Sequence, residues 1–201
     1  MRRIALAGGI GAGKSTAQHY LEQRGFPVID ADEVARAVVA PGQPAYAALR
    51  DAFGDAILAV DGSLDRAFLA EVVFHDASAL ARLNAITHPR VGEEILTRLA
   101  AAERAGESVV FIALPLFRPE HREAFALDSA WAIEVAPEVA LARLVESRHL
   151  SREDAAARLA AQMTNEERRA LVDHVVVNDG SVDELIAQLD SLLVTEGLVR
   201  G

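Results

Sequence analysis

The residues best suited to chemistry lie almost at the start of the chain, in Gly8-Gly9-Ile10-Gly11-Ala12-Gly13-Lys14-Ser15-Thr16. A glycine, four intervening residues, Gly13, Lys14 and a hydroxyl residue have the spacing of a phosphate-binding P-loop. Glycines let the backbone wrap closely, so that successive N–H groups converge on phosphate oxygens at the positive end of a helix. Lys14 then reaches the β and γ phosphates of ATP, and the Ser15 hydroxyl ligates magnesium. On this reading Gly9, Gly11, Ala12, Gly13, Lys14, Ser15 and Thr16 form the ATP cradle. A purely structural glycine turn is the alternative, and the flanking sequence argues against it. A strand over 2–7 with an apolar run at Ile4-Ala5-Leu6-Ala7 enters the turn, and Ala17-Gln18-His19-Tyr20-Leu21 leaves it as a helix. Lys14 is also the single lysine among 20 Lys and Arg residues, placed where a compact, flexible point charge suits the task.

A second set of chemical groups follows Phe26-Pro27-Val28-Ile29, a short strand ending in Asp30-Ala31-Asp32. Ligands of open α/β sheets bind beyond the carboxyl ends of the strands, where the first strand also delivers its phosphate loop. Asp32 is the favoured catalytic group and Asp30 a magnesium-side carboxylate acting through water. Either aspartate also suits the N-cap of the helix that follows. The strand at 109–114 carries no acid, although P-loop enzymes commonly hold a magnesium-directed Asp near such a strand's end. That absence shifts attention to Asp30 and Asp32. Near 143–158, Arg143, Arg148, Arg152 and Arg158 sit at or near a helix junction, either as an arginine-bearing lid over ATP or as a salt-bridged solvated face. Asn178 and Gly180 lie in the exit turn of the last strand, where they could wall the adenine pocket.

These groups need a scaffold, and the hydrophobic pattern supplies one. Strands at about 2–7, 27–29, 109–114, 129–135 and 173–177 predict one five-stranded parallel sheet, with the run at 109–114 the best candidate for a central, doubly covered strand. Helical spacing over 33–39, 44–52, 65–73, 76–86 and 90–104 predicts an α-helical insertion, broken at Pro41-Gly42, Gly54, Asp61-Gly62 and His88-Pro89. The insertion forms a substrate-specific wall or simply covers one sheet face. Ser151 with Asp154 predicts a capped helix through Gln162, and the terminal helix runs from Val182 to about Leu193. The organisation is therefore a nucleotide-binding core of 1–32 and 107–201, a helical insertion of 33–106, and a lid of 138–165 within the core.

Composition narrows the classes. A hydrophobic content of 51% excludes disorder, and a formal charge of −10 leaves no general basic surface for nucleic acid. With no cysteine there is neither a disulfide framework nor thiolate chemistry. The N-terminal apolar run is interrupted by the glycine turn, and no later run is long enough to cross a bilayer. A cytoplasmic protein, monomeric or weakly homo-oligomeric and without membrane partners, is expected.

Taken together, the motifs resemble the bacterial dephospho-CoA kinase family over nearly the full length. The resemblance rests on the P-loop and Val28-Ile29-Asp30-Ala31-Asp32, followed by Asp61-Gly62-Ser63-Leu64-Asp65-Arg66, Leu83-Asn84-Ala85-Ile86-Thr87-His88-Pro89, Pro115-Leu116, Gln162 and Val177-Asn178-Asp179-Gly180-Ser181. It implies a nucleotide-kinase-like three-layer P-loop fold comprising a core, a helical CoA-binding insertion and a lid. It also implies transfer of the γ phosphate of ATP, with Mg2+, to the 3'-hydroxyl of dephospho-CoA, the last step of CoA biosynthesis. Under it Asp32 matches the proposed base, Arg66 and His88 lie in segments facing the acceptor, and Arg143 matches a lid arginine. His88 equally suits fixing a helix start before Pro89. The chain departs from the family at Ala113, where an Asp is usual, and at Ser147, where a second lid arginine is usual. A kinase acting on another nucleoside or CoA-like acceptor, or a non-catalytic ATP-binding homologue, are the alternative readings.

Overall fold

The computed structural model describes residues 1–148 and 150–198, with the side chains of Ser147 and Arg148 outside that description. The lid arginine usual at Ser147 and the lid role of Arg148 thus lie outside the described side chains. Five parallel strands, β1 (Arg2–Gly8), β2 (Val28–Asp30), β3 (Val109–Ala113), β4 (Ser129–Glu134) and β5 (His174–Val177), form one sheet in the order β2-β3-β1-β4-β5. The middle strand is β1, which feeds the glycine loop, and the 109–114 run forms the interior strand beside it. β3 lies one place out, and all five of its residues are buried. A continuous apolar run reports burial on both faces, a condition that every interior strand shares, so it cannot by itself single out the middle.

Helices α1 (Lys14–Gln23), α2 (Ala31–Ala37), α3 (Pro44–Phe53), α4 (Arg66–Phe74), α5 (Ala77–Arg104), α6 (Glu120–Ala124), α7 (Pro137–Arg148), α8 (Arg152–Ala160), α9 (Asn165–Arg169) and α10 (Val182–Thr195) connect and follow the strands. The short helices α6 and α9 escape the periodicity because each is only five residues long. Leu21 of α1 and Leu185, Leu189 and Leu193 of α10 pack with Ile4, Leu6, Phe111, Trp131 and Ile133 of the sheet in one buried cluster. At its centre Trp131 meets Phe111 edge-on at 5.2 Å between ring centroids, an arrangement worth about 1 kcal/mol beyond area burial. Alternation along β4 sends Glu134 to the opposite face, where Arg169 of α9 reaches it.

The chain divides into two compact units, one of Met1–Asp30 with Ala102–Gly201 and one of Ala31–Ala101. In the second, Val39, Ala45, Leu49, Ile57, Leu64 and Leu69 form a core of their own. The predicted break at Asp61-Gly62 is a turn closed by the Asp61 carboxylate, which accepts from the Ser63 N–H at 2.9 Å and from its hydroxyl at 2.6 Å. Those bonds hold the Asp61 carboxyl below its usual range. The break predicted at His88-Pro89 does not occur, because α5 runs through it as one helix of 28 residues. Proline removes one backbone donor and crowds the preceding turn without ending a helix that is long on both sides. His88 therefore lies inside a helix and starts none.

This continuity costs stability. Pro89 is exposed, so Pro89→Ala should raise the thermal midpoint by an amount equivalent to about 1–3 kcal/mol. Differential scanning calorimetry checks this, and an unchanged or lower midpoint would mean that the proline relieves strain elsewhere in α5.

Candidate active site

β1 ends at Gly8, and the loop beyond it is shaped by close approaches that side chains would block. A Cβ on Gly8 would lie 3.0 Å from the Ile133 carbonyl oxygen of the neighbouring strand. The loop turns back through the Ala12 N–H donating to Gly9 O at 3.2 Å. Gly11 and Gly13 adopt left-handed conformations, with φ of 76° and 90°. Helix α1 then starts at Lys14 with no side-chain cap and no acid in its first turn. An uncapped helix N-terminus preceded by a glycine nest presents convergent backbone N–H groups and the positive end of the helix dipole, which suits an anion. Ser15 and Thr16 are exposed on that turn, and Lys14 is half-buried beside them.

Three side chains from distant sequence hold the loop's outward-facing groups. Asn178, only 7% exposed at the end of β5, donates its amide to Ala12 O at 2.8 Å, and its own N–H bonds to Glu134 O at 2.7 Å. A Cβ on Gly13 would collide with that same amide nitrogen, so Gly13 is required by contact as well as by φ. Arg143 of α7 donates to Gly11 O at 3.4 Å and to Gly180 O at 3.2 Å, tying the loop to the exit turn of β5. Gln162, just beyond α8, accepts the Ile10 N–H at 2.9 Å. The structure thus brings together Gly9, Gly11, Ala12, Gly13, Arg143, Asn178 and Gly180. Gly180 has a local reason to be glycine, since a Cβ there would strike the Glu184 carboxylate of the Ser181–Glu184 capping box.

The acids are distributed differently. Asp30 is the last residue of β2, and Asp32 is exposed in the first turn of α2, which begins at Ala31, two residues before the range predicted over 33–39. In the sheet register Asp30 stands opposite Ala113, and Ala113 opposite Leu6. Residues paired across neighbouring strands share a face, so Asp30 presents its carboxylate on the face that a carboxylate at 113 would use. Among the described residues no group of three His, Cys, Asp or Glu side chains could hold a metal alone. A serine hydroxyl and a single carboxylate nonetheless form a hard-oxygen set that fits Mg2+, which keeps several waters and shares phosphate oxygens. Arg66 and His88 both belong to the second unit and are exposed, with Arg66 donating to Arg36 O at 3.3 Å.

Two buried charged groups were not singled out from the sequence. Arg168 is 7% exposed, and burial pulls its pKa down while Glu134 works against that shift. Glu134 is 1% exposed at the end of β4, bonded through Oε2 to Arg169 Nε at 2.8 Å, with its Oε1 buried and without a hydrogen bond. An acid closing an apolar strand offered the one clue, because a carboxylate is seldom buried unless a cation meets it.

The family model described as dephospho-CoA kinase matches residues 2–184. A dephospho-CoA kinase of Corynebacterium glutamicum is 42% identical over 193 residues, covering 96% of this chain and 98% of that protein. Among solved structures, one from Thermus thermophilus superposes with a TM-score of 0.79 at 30% identity, covering 100% of this chain and 98% of its own. The dephospho-CoA kinase from Campylobacter jejuni superposes with a TM-score of 0.67 at 25% identity, covering 100% and 98%. The parallel sheet, the glycine loop entering α1 and the match along nearly the whole chain lead to one conclusion: the protein is a P-loop kinase belonging to the dephospho-CoA kinase family.

Proposed function

We propose that this protein transfers the γ phosphate of ATP to the 3'-hydroxyl of dephospho-CoA, giving CoA and ADP in the cytoplasm. The observation that carries the reading is the uncapped, acid-free N-terminus of α1 behind a braced glycine loop, in a chain of this family. The loop amides and Lys14 take the β and γ phosphates, so that charge spreading over the transferred group meets preorganised donors. Arg143 adds a guanidinium beside Gly11 from the segment we read as a lid. Asp32 accepts the proton of the attacking hydroxyl, while Arg66 and His88 orient the acceptor. The base's share is modest, since phosphoryl transfer depends mainly on alignment and charge stabilisation. Asn178 and Gly180 border the adenine. Ser15, with Asp30 through water, would hold Mg2+, whose bound charge offsets that of the phosphate oxygens.

An assay of ADP release with dephospho-CoA, adenosine and nucleoside monophosphates as acceptors tests this reading. Magnesium-dependent release stimulated by dephospho-CoA is expected, with Lys14→Ala and Asp32→Asn each lowering kcat about a hundredfold or more. ATP binding without acceptor-dependent ADP release would favour a non-catalytic homologue, and full turnover in Asp32→Asn would remove its role as base. Magnesium titration tests the carboxylate separately. Asp30→Asn should raise the half-saturating magnesium concentration about tenfold, and Ala113→Asp in that background should bring it back, because the two positions are paired on one face. No shift in Asp30→Asn would place the magnesium-side carboxylate elsewhere.

A further inference from the structure

Both ends of the α7–α8 helix pair are fastened to successive residues of the phosphate loop. At the entry, the Ala140 carbonyl oxygen lies 3.3 Å from where a Gly11 Cβ would sit, and Arg143 donates to Gly11 O. At the exit, Gln162 Oε1 accepts the Ile10 N–H at 2.9 Å. A Cβ on Gly9 would lie 3.2 Å from Gln162 Oε1 and 3.2 Å from Arg168 Nη2. Gly9 is not in a left-handed conformation, so what a side chain there would disturb is those two groups, each of which would have to give by a few tenths of an ångström.

Arg168 is itself fixed. Its Nη1 donates to Asn165 Oδ1 at 2.8 Å and its Nη2 to Met163 O at 2.9 Å, while Asn165 Nδ2 donates to Val135 O at 2.9 Å. The guanidinium is thereby tied to the end of β4, beside the buried Glu134 carboxylate. The side of the loop at Gly9 and Ile10 therefore rests on a wall built from the segment after α8.

We propose that Gln162 is a positioning residue for the donor nucleotide: by holding the Ile10 N–H against the wall formed with Arg168, it fixes the Gly9–Ile10 peptide and keeps the amides that follow converged on the phosphates. It acts through the loop backbone. The inference rests on the donor half of the proposed function and requires no turnover.

The test is calorimetric titration of the purified protein with a non-hydrolysable ATP analogue and magnesium, on wild type, Gln162→Leu, Gly9→Ala and the double variant. Leu keeps the approximate size of Gln and removes the acceptor. Gln162→Leu should weaken binding about five- to tenfold with an unchanged melting temperature in the absence of nucleotide, as expected for one lost hydrogen bond at the loop. Gly9→Ala, which displaces the same contacts, should weaken it comparably, and the double variant should bind no worse than the weaker single variant. KM for the acceptor should stay within twofold. Unchanged analogue binding in Gln162→Leu, losses that add in the double variant, or a parallel rise in acceptor KM would each overturn the proposal. Absence of acceptor-dependent ADP release would count against the enzyme reading alone.

Discussion

A loop that presents its amides inward to an anion must leave other backbone groups facing outward, and those must be satisfied for the loop to keep its shape. Here the outward carbonyls of Ala12 and Gly11 accept from Asn178 and Arg143, and the Ile10 amide donates to Gln162. These residues come from the end of β5, from α7 and from the segment after α8. The parallel sheet is what allows this, because its strands all end at one edge and deliver the three supports to the same place. The loop glycines follow from the same constraint, since Gly9 and Gly13 are each backed by a polar side chain where a Cβ would sit.

The electrostatics are local. The chain carries a net charge of −10, yet the first turn of α1 holds no acid, and Lys14 with Arg143 and Arg168 surrounds the loop. Glu134 is the exception, a buried carboxylate with one oxygen bonded to Arg169 and the other without a hydrogen bond. A buried oxygen in that condition costs about 1–3 kcal/mol, offset here by the guanidinium groups of α9. Breaking the set by removing one cation would leave the acid beneath a loop built for anions. At the other side of β1, Ala113 leaves Asp30 as the acid of its cross-strand pair.

The glycine loop, the sheet of five parallel strands and the Ser151 cap were legible in the sequence, because they rest on short-range spacing and two-residue or 3.6-residue periodicity. The passage of α5 through Pro89 was not. Local propensity marks a proline as a break, whereas a helix of this length tolerates the loss of one bond. Apolar run length marked β3 as an interior strand, but it measures burial and not strand order, so the place of β1 in the middle was not legible. Asn178 was legible as a residue at the correct edge, but its amide's grip on Ala12 was not, and Arg168 was invisible because its burial and its place beside Gly9 and Glu134 depend on strands far away in sequence. Gln162 had a motif but no role until its oxygen met Ile10. Sequence spacing finds groups that act through local backbone geometry; the supports that hold such geometry come from anywhere in the fold.

The most direct test of the account follows the transferred group itself. ATP labelled at the γ position is incubated with the enzyme, magnesium and dephospho-CoA, and the products are separated and analysed by phosphorus NMR and mass spectrometry. The account predicts the label in a new phosphate monoester at the ribose 3' position, in amounts equal to the ADP formed. Label recovered only as inorganic phosphate, or in an ester elsewhere on the acceptor, would contradict it.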